Sequence, residues 1–571
     1  MQSQSNWDKL TNELNEKITF YLQDDLSVLV DTSSSKAREA SFLLLKFSEL
    51  VKIPQGFHTY QISALSIWNA CASGVTIEMI TGNLEKYALS PLPEKFKAQL
   101  LLYFNRYHKI FLRKYSSTHI LLETKLDELI PLFLSHAFQF EFDLTLDAHE
   151  TFLFPLKYRG IFKQKMIHLG FPVEDLVGYA QGDSMPVNLK EYTTQGEKLN
   201  IRHYQLEAVN NFFDSSPHLS SHNNGSGVIV LPCGAGKTLV GLCVLSRVCE
   251  YTLILSNNMT SAYQWKRELL DKTTLKDQDI EIYSSENKKT APITIATYQM
   301  LTYRPSREAE FLHFTLFNAK SWGLIIYDEV HLLPAPVFRI TADLQSKKRL
   351  GLTATLIRED GHEGDVFALI GPKKYDLPWK ELEKEQYIAT AKCIEWRVPF
   401  EQNYHMTYAL ADKREQFKIA STNPQKLQTC HQILNIEKNK KILIIGEYLD
   451  QVHYFAKNLN VPCVTGSTSQ EEREKIYNMF RSGEIRILVL SRVGNFALDL
   501  PDAEVLVQIS GKFGSRQEEA QRLGRILRPK KNINQATFHT LVTHPSCEEK
   551  FARNRQLFLL EQGYEYQLNH Y

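Results

Sequence analysis

Short, unbroken apolar runs alternate with helical stretches twice along this chain, and nothing else in it limits the fold as tightly. The first series is 228–231 (VIVL), 253–255 (LIL), 293–296 (ITIA) and 324–327 (LIIY). After about residue 375 the alternation starts again with 442–445 (ILII), 485–490 (IRILVL) and 505–509 (VLVQI). A strand covered by helices on both sheet faces has no polar side to present, so it reads as a continuous apolar run. Two such series predict an α/β fold with two tandem parallel-sheet lobes, over 187–375 and 376–571.

The part before residue 187 reads as two mixed α/β modules, 1–117 and 118–186. In the first, 18–23 and 27–30 have the pattern of a hairpin, and helical stretches follow over 37–51 and 62–73. The second carries the strand-like run Phe138-Gln139-Phe140-Glu141-Phe142 and ends in glycine and proline punctuation around Gly170, Pro172, Gly178, Gly182 and Pro186. Segment 214–227 is rich in Ser, Asn and Gly and reads as a loop between a helix and a buried strand.

With 571 residues, 43% hydrophobic and 23% charged, the chain has material for several ordinary globular cores. No apolar run is long enough to span a bilayer, and residues 1–8 (MQSQSNWD) lack the basic head and apolar stretch of a secretory signal. A cytoplasmic location with no membrane partner is the expectation. Lys and Arg number 66 against 65 Asp and Glu, so nucleic-acid binding would have to come from local patches. The eight cysteines form no C-x-x-C pair, which argues against a zinc site and for reduced thiols that serve as small core residues.

Three groups of residues carry chemistry. Pro232, Cys233, Gly234, Ala235, Gly236, Lys237 and Thr238 follow a predicted strand and open a predicted helix. Glycines there let backbone N–H groups turn toward phosphate oxygens, and the helix N-terminus adds partial positive charge. Lys237 would reach the β- and γ-phosphates of ATP, and the Thr238 hydroxyl would hold Mg²⁺. The general G-x-x-x-x-G-K-[ST] pattern asks for glycine at 231, where this chain has Leu231. Asp328 and Glu329 end the run 324–327, on the ligand side of an open α/β sheet. Asp328 can hold Mg²⁺ and Glu329 can orient or deprotonate an attacking water. On a helix, Gln521, Arg525 and Arg528 share one face, where two guanidiniums can stabilise charge on a transferring phosphoryl group. They belong to the second lobe, so the ATP site would be completed only when the lobes close. Upstream, the Gln205 amide, with Arg202 beside it, is suited to an adenine edge.

Together these residues resemble a superfamily 2 helicase, and their variants narrow the likeness. Segments 232–238 (PCGAGKT), 328–331 (DEVH), 351–360 (GLTATLIRED), 491–494 (SRVG), 499–501 (DLP) and 521–528 (QRLGRILR) look like the XPB family of DNA helicases. The triplet Arg358-Glu359-Asp360 is the most family-specific of them. Segments 58–62 (HTYQI) and 65–70 (LSIWNA) are similar to that family's N-terminal domain, and 170–179 (GFPVEDLVGY) to the end of its damage-recognition-like module. The resemblance implies RecA-like lobes and ATP- and Mg²⁺-dependent 3′-to-5′ DNA unwinding or duplex translocation in repair.

By motif match it also implies that Gln205 contacts adenine and that Ser256, Gln264, Trp265, Thr297, Tyr298, Gln299, Thr465 and Gly466 face DNA. Small hydroxyl and amide groups suit that task, because they bind phosphate without selecting a base. Ser256 and Thr297 can equally be strand ends. Arg358, Glu359 and Asp360 would act as an unwinding element at the single-strand/duplex junction, or merely close a loop before a helix. Two departures matter. The interval 400–422, where the family's thumb-like insertion belongs, is short, which bears more on strand separation than on hydrolysis. The chain also ends soon after 562–566 (QGYEY), which looks like the compact bacterial branch. A translocase without strand separation, and an ATP-gated scaffold that recruits a repair nuclease, are the competing readings.

Overall fold

The computed structural model describes residues 20–52, 56–88, 91–116, 118–148, 151–177, 182–213, 225–304, 313, 316, 319–333, 346, 348–355, 363–400, 402–491, 503–511, 515–527 and 534–570. The chain divides into two compact units, one of residues 1–230 and 236–376 and the other of 231–235 and 377–571.

The first unit opens with a four-stranded antiparallel sheet of β1 (Phe20–Leu22), β2 (Ser27–Asp31), β3 (Glu49–Lys52) and β4 (Phe57–Gln61), ordered β1-β2-β4-β3. The expected hairpin is β1 and β2, with Phe20 opposite Val30. The helix expected over 37–51 stops at Leu44. Residues 49–52 are instead strand β3, whose Leu50 is buried opposite Tyr60. The next helix, Ala64–Ala72, starts at a capping box in which Ser63 and Ser66 satisfy each other's backbone N–H. That helix seats the module on the sheet behind it. Trp68 joins the large apolar core there, and the Asn69 side chain accepts from the Lys373 N–H at 3.1 Å.

A second module is built on β5 (Ile110–Lys114), β6 (His119–Thr124), β7 (Thr145–Ala148), β8 (Thr151–Pro155) and β9 (Val173–Leu176), ordered β7-β8-β6-β5-β9. Because β5 pairs with both β6 and β9, this sheet begins at Ile110, ahead of the border drawn at 118 from sequence. The Phe138–Phe142 run corrects another expectation: it lies in the helix His136–Phe142, capped by the Ser135 hydroxyl. A strand would place Phe138, Phe140 and Phe142 on one face; a helix places only Phe138 and Phe142 together. Those two are buried with Phe133, Phe152, Phe154 and Phe162, whereas Phe140 is 83% exposed.

The rest of this unit is a seven-stranded parallel sheet of β10 (Ser226–Val230), β11 (Thr252–Ser256), β12 (Ile280–Tyr283), β13 (Ile293–Thr297), β14 (Leu324–Asp328), β15 (Lys348–Thr353) and β16 (Lys373–Asp376). Its order is β12-β13-β11-β14-β15-β10-β16. The start of β10 lies inside the loop expected over 214–227.

The second unit carries another seven-stranded parallel sheet, of β17 (Thr390–Val398), β18 (Ile442–Ile445), β19 (Cys463–Val464), β20 (Ile487–Leu490), β21 (Val505–Gln508), β22 (Gln535–Thr543) and β23 (Tyr566–His570). Its order is β19-β20-β18-β21-β22-β17-β23. The α/β reading with two parallel-sheet lobes after mixed modules is therefore the observed architecture. The short interval expected to replace a thumb forms two helices, Gln402–Leu410 and Lys413–Ser421. A fully buried ion pair ties the unit together: Lys426 Nζ donates to both Glu548 oxygens at 2.9 Å and to the Ser421 and Ile509 carbonyls. Among the described residues no helix is long and apolar enough to cross a membrane.

The helix assignment of the aromatic run predicts opposite results for neighbouring residues. Phe138→Ala or Phe142→Ala should cost about 3–5 kcal/mol through cavity formation, lowering the melting temperature. Phe140→Ala should stay within about 0.5 kcal/mol of the wild type. Equal losses at all three positions would refute the helical packing.

Candidate functional site

The chain leaves β10 at Val230, turns through 231–236 and enters the helix Lys237–Val248. Gly234 and Gly236 have φ of +83° and +81°, a conformation that side chains disfavour. A Cβ at Gly236 would also collide with Nε2 of Gln205. Gln205 is 2% exposed and sits in the first turn of the helix His203–Phe213. Its Oε1 accepts from the Arg202 backbone N–H at 2.9 Å, and Arg202 Nη1 donates to the Tyr204 hydroxyl at 3.0 Å. Gln205 and Arg202, expected at an adenine edge, are thus hydrogen-bonded to each other, with the Gln205 amide against Gly236 of the phosphate loop.

Parallel pairing brings the other residues of this unit alongside. β10 pairs with β15, with Val230 opposite Thr353, and β15 pairs with β14, with Leu352 opposite Asp328. Strands in register end level, so Asp328, Glu329, Thr353 and the phosphate loop share one rim of the sheet. Lys237 Nζ lies 3.3 Å from Glu329 Oε1. Glu329 is held at φ +50°, outside the strand conformation. Such a residue persists only where its surroundings enforce it. The turn separates the two carboxylates. Asp328 Oδ2 accepts the Trp265 indole N–H at 3.0 Å, while Glu329 faces Lys237 and the Ala354 amide.

Burial is the largest influence on both carboxyls and raises both. In Asp328 the neighbouring Glu329 charge adds to it, and the pKa is pushed up to about 6 against the pull of the Trp265 N–H and Lys237. In Glu329 burial is outweighed by Lys237, His331 and the Ala354 amide, which hold it below the usual range. The result is two adjacent carboxyls of different character. Thr238 and Asp328 supply hydroxyl and carboxylate oxygens, donors that suit a hard divalent cation.

Sequence reasoning missed the layer behind Glu329. Buried His331 places Nδ1 2.5 Å from Thr353 Oγ1 and 3.5 Å from Glu329 Oε2. Thr353 in turn donates to the Thr355 carbonyl and accepts the Thr355 N–H at 3.1 Å. The segment 351–360 was noticed only as a family signature; a threonine carries no positional signal of this kind by itself.

The residues expected to face DNA divide sharply. Trp265 is 2% exposed, spent on Asp328 and on Gly241, where a Cβ would lie 2.6 Å from its ring. Tyr298 is 3% exposed, and its hydroxyl donates to the Asp328 carbonyl at 2.8 Å. These rings support the acidic residues from within. Ser256 is buried at the end of β11, with its hydroxyl on the Asn258 and Ala296 carbonyls. Thr297 caps the following turn by accepting the Met300 N–H. Thr465 is buried and its hydroxyl meets that of Ser467 at 2.9 Å. Gln264, Gln299 and Gly466 are exposed.

In the second unit, Gln521 lies on the helix Arg516–Ile526, half-buried. The backbone of Arg525 belongs to the same helix; its side chain, all of Arg528, and Arg358, Glu359 and Asp360 lie outside the described residues. Arg522, to which sequence reasoning assigned no role, is fully buried. It donates to Gln508 Oε1 at 2.7 Å, the Ser510 carbonyl at 3.0 Å and Glu518 Oε1 at 2.6 Å. Arg522 therefore anchors the helix to β21. Among the described residues no group of three His, Cys, Asp or Glu side chains is arranged to hold a metal.

Family models match along the chain: the ERCC3/RAD25/XPB C-terminal helicase over 382–570, the type III restriction enzyme res subunit over 198–358, and a helicase conserved C-terminal domain over 20–137. A Mycobacterium tuberculosis protein named DNA 3′-5′ helicase XPB is 44% identical, covering 95% of this chain and 96% of its own length. The Kineococcus radiotolerans protein of the same name is 42% identical, covering 96% and 95%. In Enterocytozoon bieneusi, the general transcription and DNA repair factor IIH helicase/translocase subunit XPB is 30% identical, covering 97% and 93%.

The indole contact yields a measurable expectation. Trp265→Phe keeps an aromatic ring but deletes the donor to Asp328, so, on the expectation that Asp328 holds Mg²⁺, Mg²⁺ affinity in the presence of nucleotide should fall about tenfold, the worth of a hydrogen bond to a charged group. Asp328 would have to be ionised to hold such a cation. Its pKa of about 6 means wild-type Mg²⁺ affinity should weaken as pH falls through 6. Removing the N–H that lowers this pKa should move the acid limb to higher pH. A Mg²⁺ titration at several pH values checks both points, and an unmoved limb would refute the role given to Trp265.

Proposed function

Because this chain belongs to the XPB family of DNA helicases, we propose that it hydrolyses ATP at the rim formed by β10, β14 and β15 and uses that energy to unwind DNA from 3′ to 5′ in repair. It is an ATP-dependent DNA helicase by family. The observation that carries the assignment of residues is the contact of Lys237 with Glu329 on that rim. Lys237 has one ammonium to give. When the β- and γ-phosphates enter the loop, it transfers from Glu329 to them, and the carboxylate is released to orient the attacking water. Thr238 and Asp328 would hold Mg²⁺, which would supply positive charge against the phosphate oxygens. Glu329 also senses the 353–355 segment through the Ala354 amide, so a change of partner at Glu329 is transmitted to β15.

Gln521, Arg525 and Arg528 act on the transferring phosphoryl group. This reading is supported by Gln521, which is half-buried on the helix Arg516–Ile526 while the neighbouring Arg522 is fully buried against β21. Gln264, Gln299 and Gly466 contact the DNA backbone, supported by their exposure. Ser256, Thr297 and Thr465 shape the turns that present them. Arg358, Glu359 and Asp360 work at the duplex junction.

Lys237→Ala should abolish DNA-stimulated ATPase activity, and Glu329→Gln should retain nucleotide binding while losing turnover by at least about a hundredfold, the scale of general-base catalysis. Full activity in Lys237→Ala would end the assignment. Strand displacement on 3′-tailed, 5′-tailed and blunt DNA, beside triplex displacement, tests the output. Release of strands from 3′-tailed substrates supports unwinding. Triplex displacement alone would make the protein a translocase. ATP-controlled DNA retention without turnover would make it a scaffold, to which a repair nuclease is the expected partner.

A further inference from the structure

β12 is an edge strand of the first parallel sheet and ends at Tyr283. Tyr283 lies opposite Ala296 of β13, Thr297 opposite Ser256 of β11, and Leu255 of β11 opposite Tyr327 of β14. These strands end level, so Tyr283 lies on the rim that carries Asp328, three strands away. Beside Tyr283 stands an arrangement that the nucleotide chemistry does not use. Buried His313 sets Nδ1 3.1 Å from the Tyr283 hydroxyl. Lys288 Nζ lies 3.1 Å from its Nε2 and 3.3 Å from its Nδ1. Burial and the Lys288 charge hold the imidazole below the usual histidine range. A neutral imidazole keeps one acceptor nitrogen for the Lys288 ammonium; an imidazolium would have none. The ring of Tyr303 stacks on His313, with centroids 6.2 Å apart and planes at 30°. Tyr303 itself is 55% exposed.

An aromatic ring backed by a second, buried ring and more than half open to solvent is a stacking surface. Its surroundings carry the charge that a nucleic-acid strand needs. Lys288 and Lys289 are exposed on the turn after β12 and outweigh the exposed Glu286 there. Tyr303 also follows the exposed Gln299 by one turn, with its N–H on the Met300 carbonyl. Paired bases hide their faces against their neighbours in a duplex, whereas an unpaired strand offers base faces and phosphates together. We infer that Tyr303, backed by His313, is a platform on which an unpaired base of single-stranded DNA stacks, with the Lys288-Lys289 turn meeting its phosphates. The inference rests on the DNA unwinding proposed above and adds a contact of another kind. Gln264, Gln299 and Gly466 meet a backbone that single strand and duplex share; Tyr303 answers only to an open base face. Because every base has such a face, the platform favours single strand over duplex without selecting a sequence.

Equilibrium binding of the full chain to fluorescent oligothymidylate, to an abasic strand of the same length and to a blunt duplex tests the inference. The wild type is compared with Tyr303→Ala, Tyr303→Trp and Lys288→Ala/Lys289→Ala. The wild type should bind oligothymidylate more tightly than the abasic strand, which has the phosphates without the bases. Tyr303→Ala, whose exposed ring can be removed without opening the core, should lose about tenfold on oligothymidylate, the scale of one base–aromatic stack. It should lose nothing on the abasic strand or the duplex. Tyr303→Trp should restore the affinity, and the double lysine variant should weaken all three ligands and flatten the salt dependence. Equal wild-type affinity for oligothymidylate and the abasic strand, unchanged affinity in Tyr303→Ala, or an equal loss on the abasic strand would overturn the platform. Duplex-stimulated ATPase activity is measured in the same preparations. Its presence in the wild type beside any of those three results removes the platform and leaves the motor standing; its absence together with no DNA binding removes both.

Discussion

In the first parallel sheet Val230 lies opposite Thr353 and Leu352 lies opposite Asp328, and the remainder of the nucleotide site follows from that register. Parallel strands in register end level, so residues more than a hundred positions apart reach one rim without any loop having to carry them. A shift of one residue in β15 would turn Thr353 to the other face of the sheet and break its contact with His331. The apolar runs that pack both sheet faces hold that register. The chemistry at the rim is therefore supported by the burial of residues that take no part in it.

Buried charge is used in two ways. Lys426 and Arg522 are structural: each is surrounded by carbonyls and carboxylates that satisfy its donors, and each joins helices to the second sheet. Asp328 and Glu329 are a tuned pair, alike in burial but different in partners, so one carboxyl is raised and the other lowered.

Several strands were illegible for identifiable reasons. β15 begins Lys348-Arg349 and contains Gly351, so it lacks an unbroken apolar run, although its central position buries all but one residue. β16, with Lys373 and Lys374, is an edge strand and need not be apolar on both faces. β3 was absorbed into a helical pattern because a short apolar stretch does not distinguish the two periods. In the run Phe138–Phe142 the alternation was real, but the Ser135 cap and the aromatic core across the module selected the helix.

The sequence by itself determined the two parallel-sheet lobes, the phosphate loop, the acidic pair and the family, because each rests on local order along the chain: apolar runs, glycine placement and short motifs. Tertiary structure alone decided which polar residues face outward and which are consumed inside. Trp265 and Tyr298 sit in motifs that point toward DNA, yet they brace Asp328 from within. Arg522 follows Gln521 directly in the chain, yet it is fully buried where Gln521 is half-buried. That Lys163 and Arg349, 186 positions apart, line one pocket likewise has no local signature. Side-chain direction and burial depend on what the fold packs against each element, and that partner is absent from any short stretch of sequence.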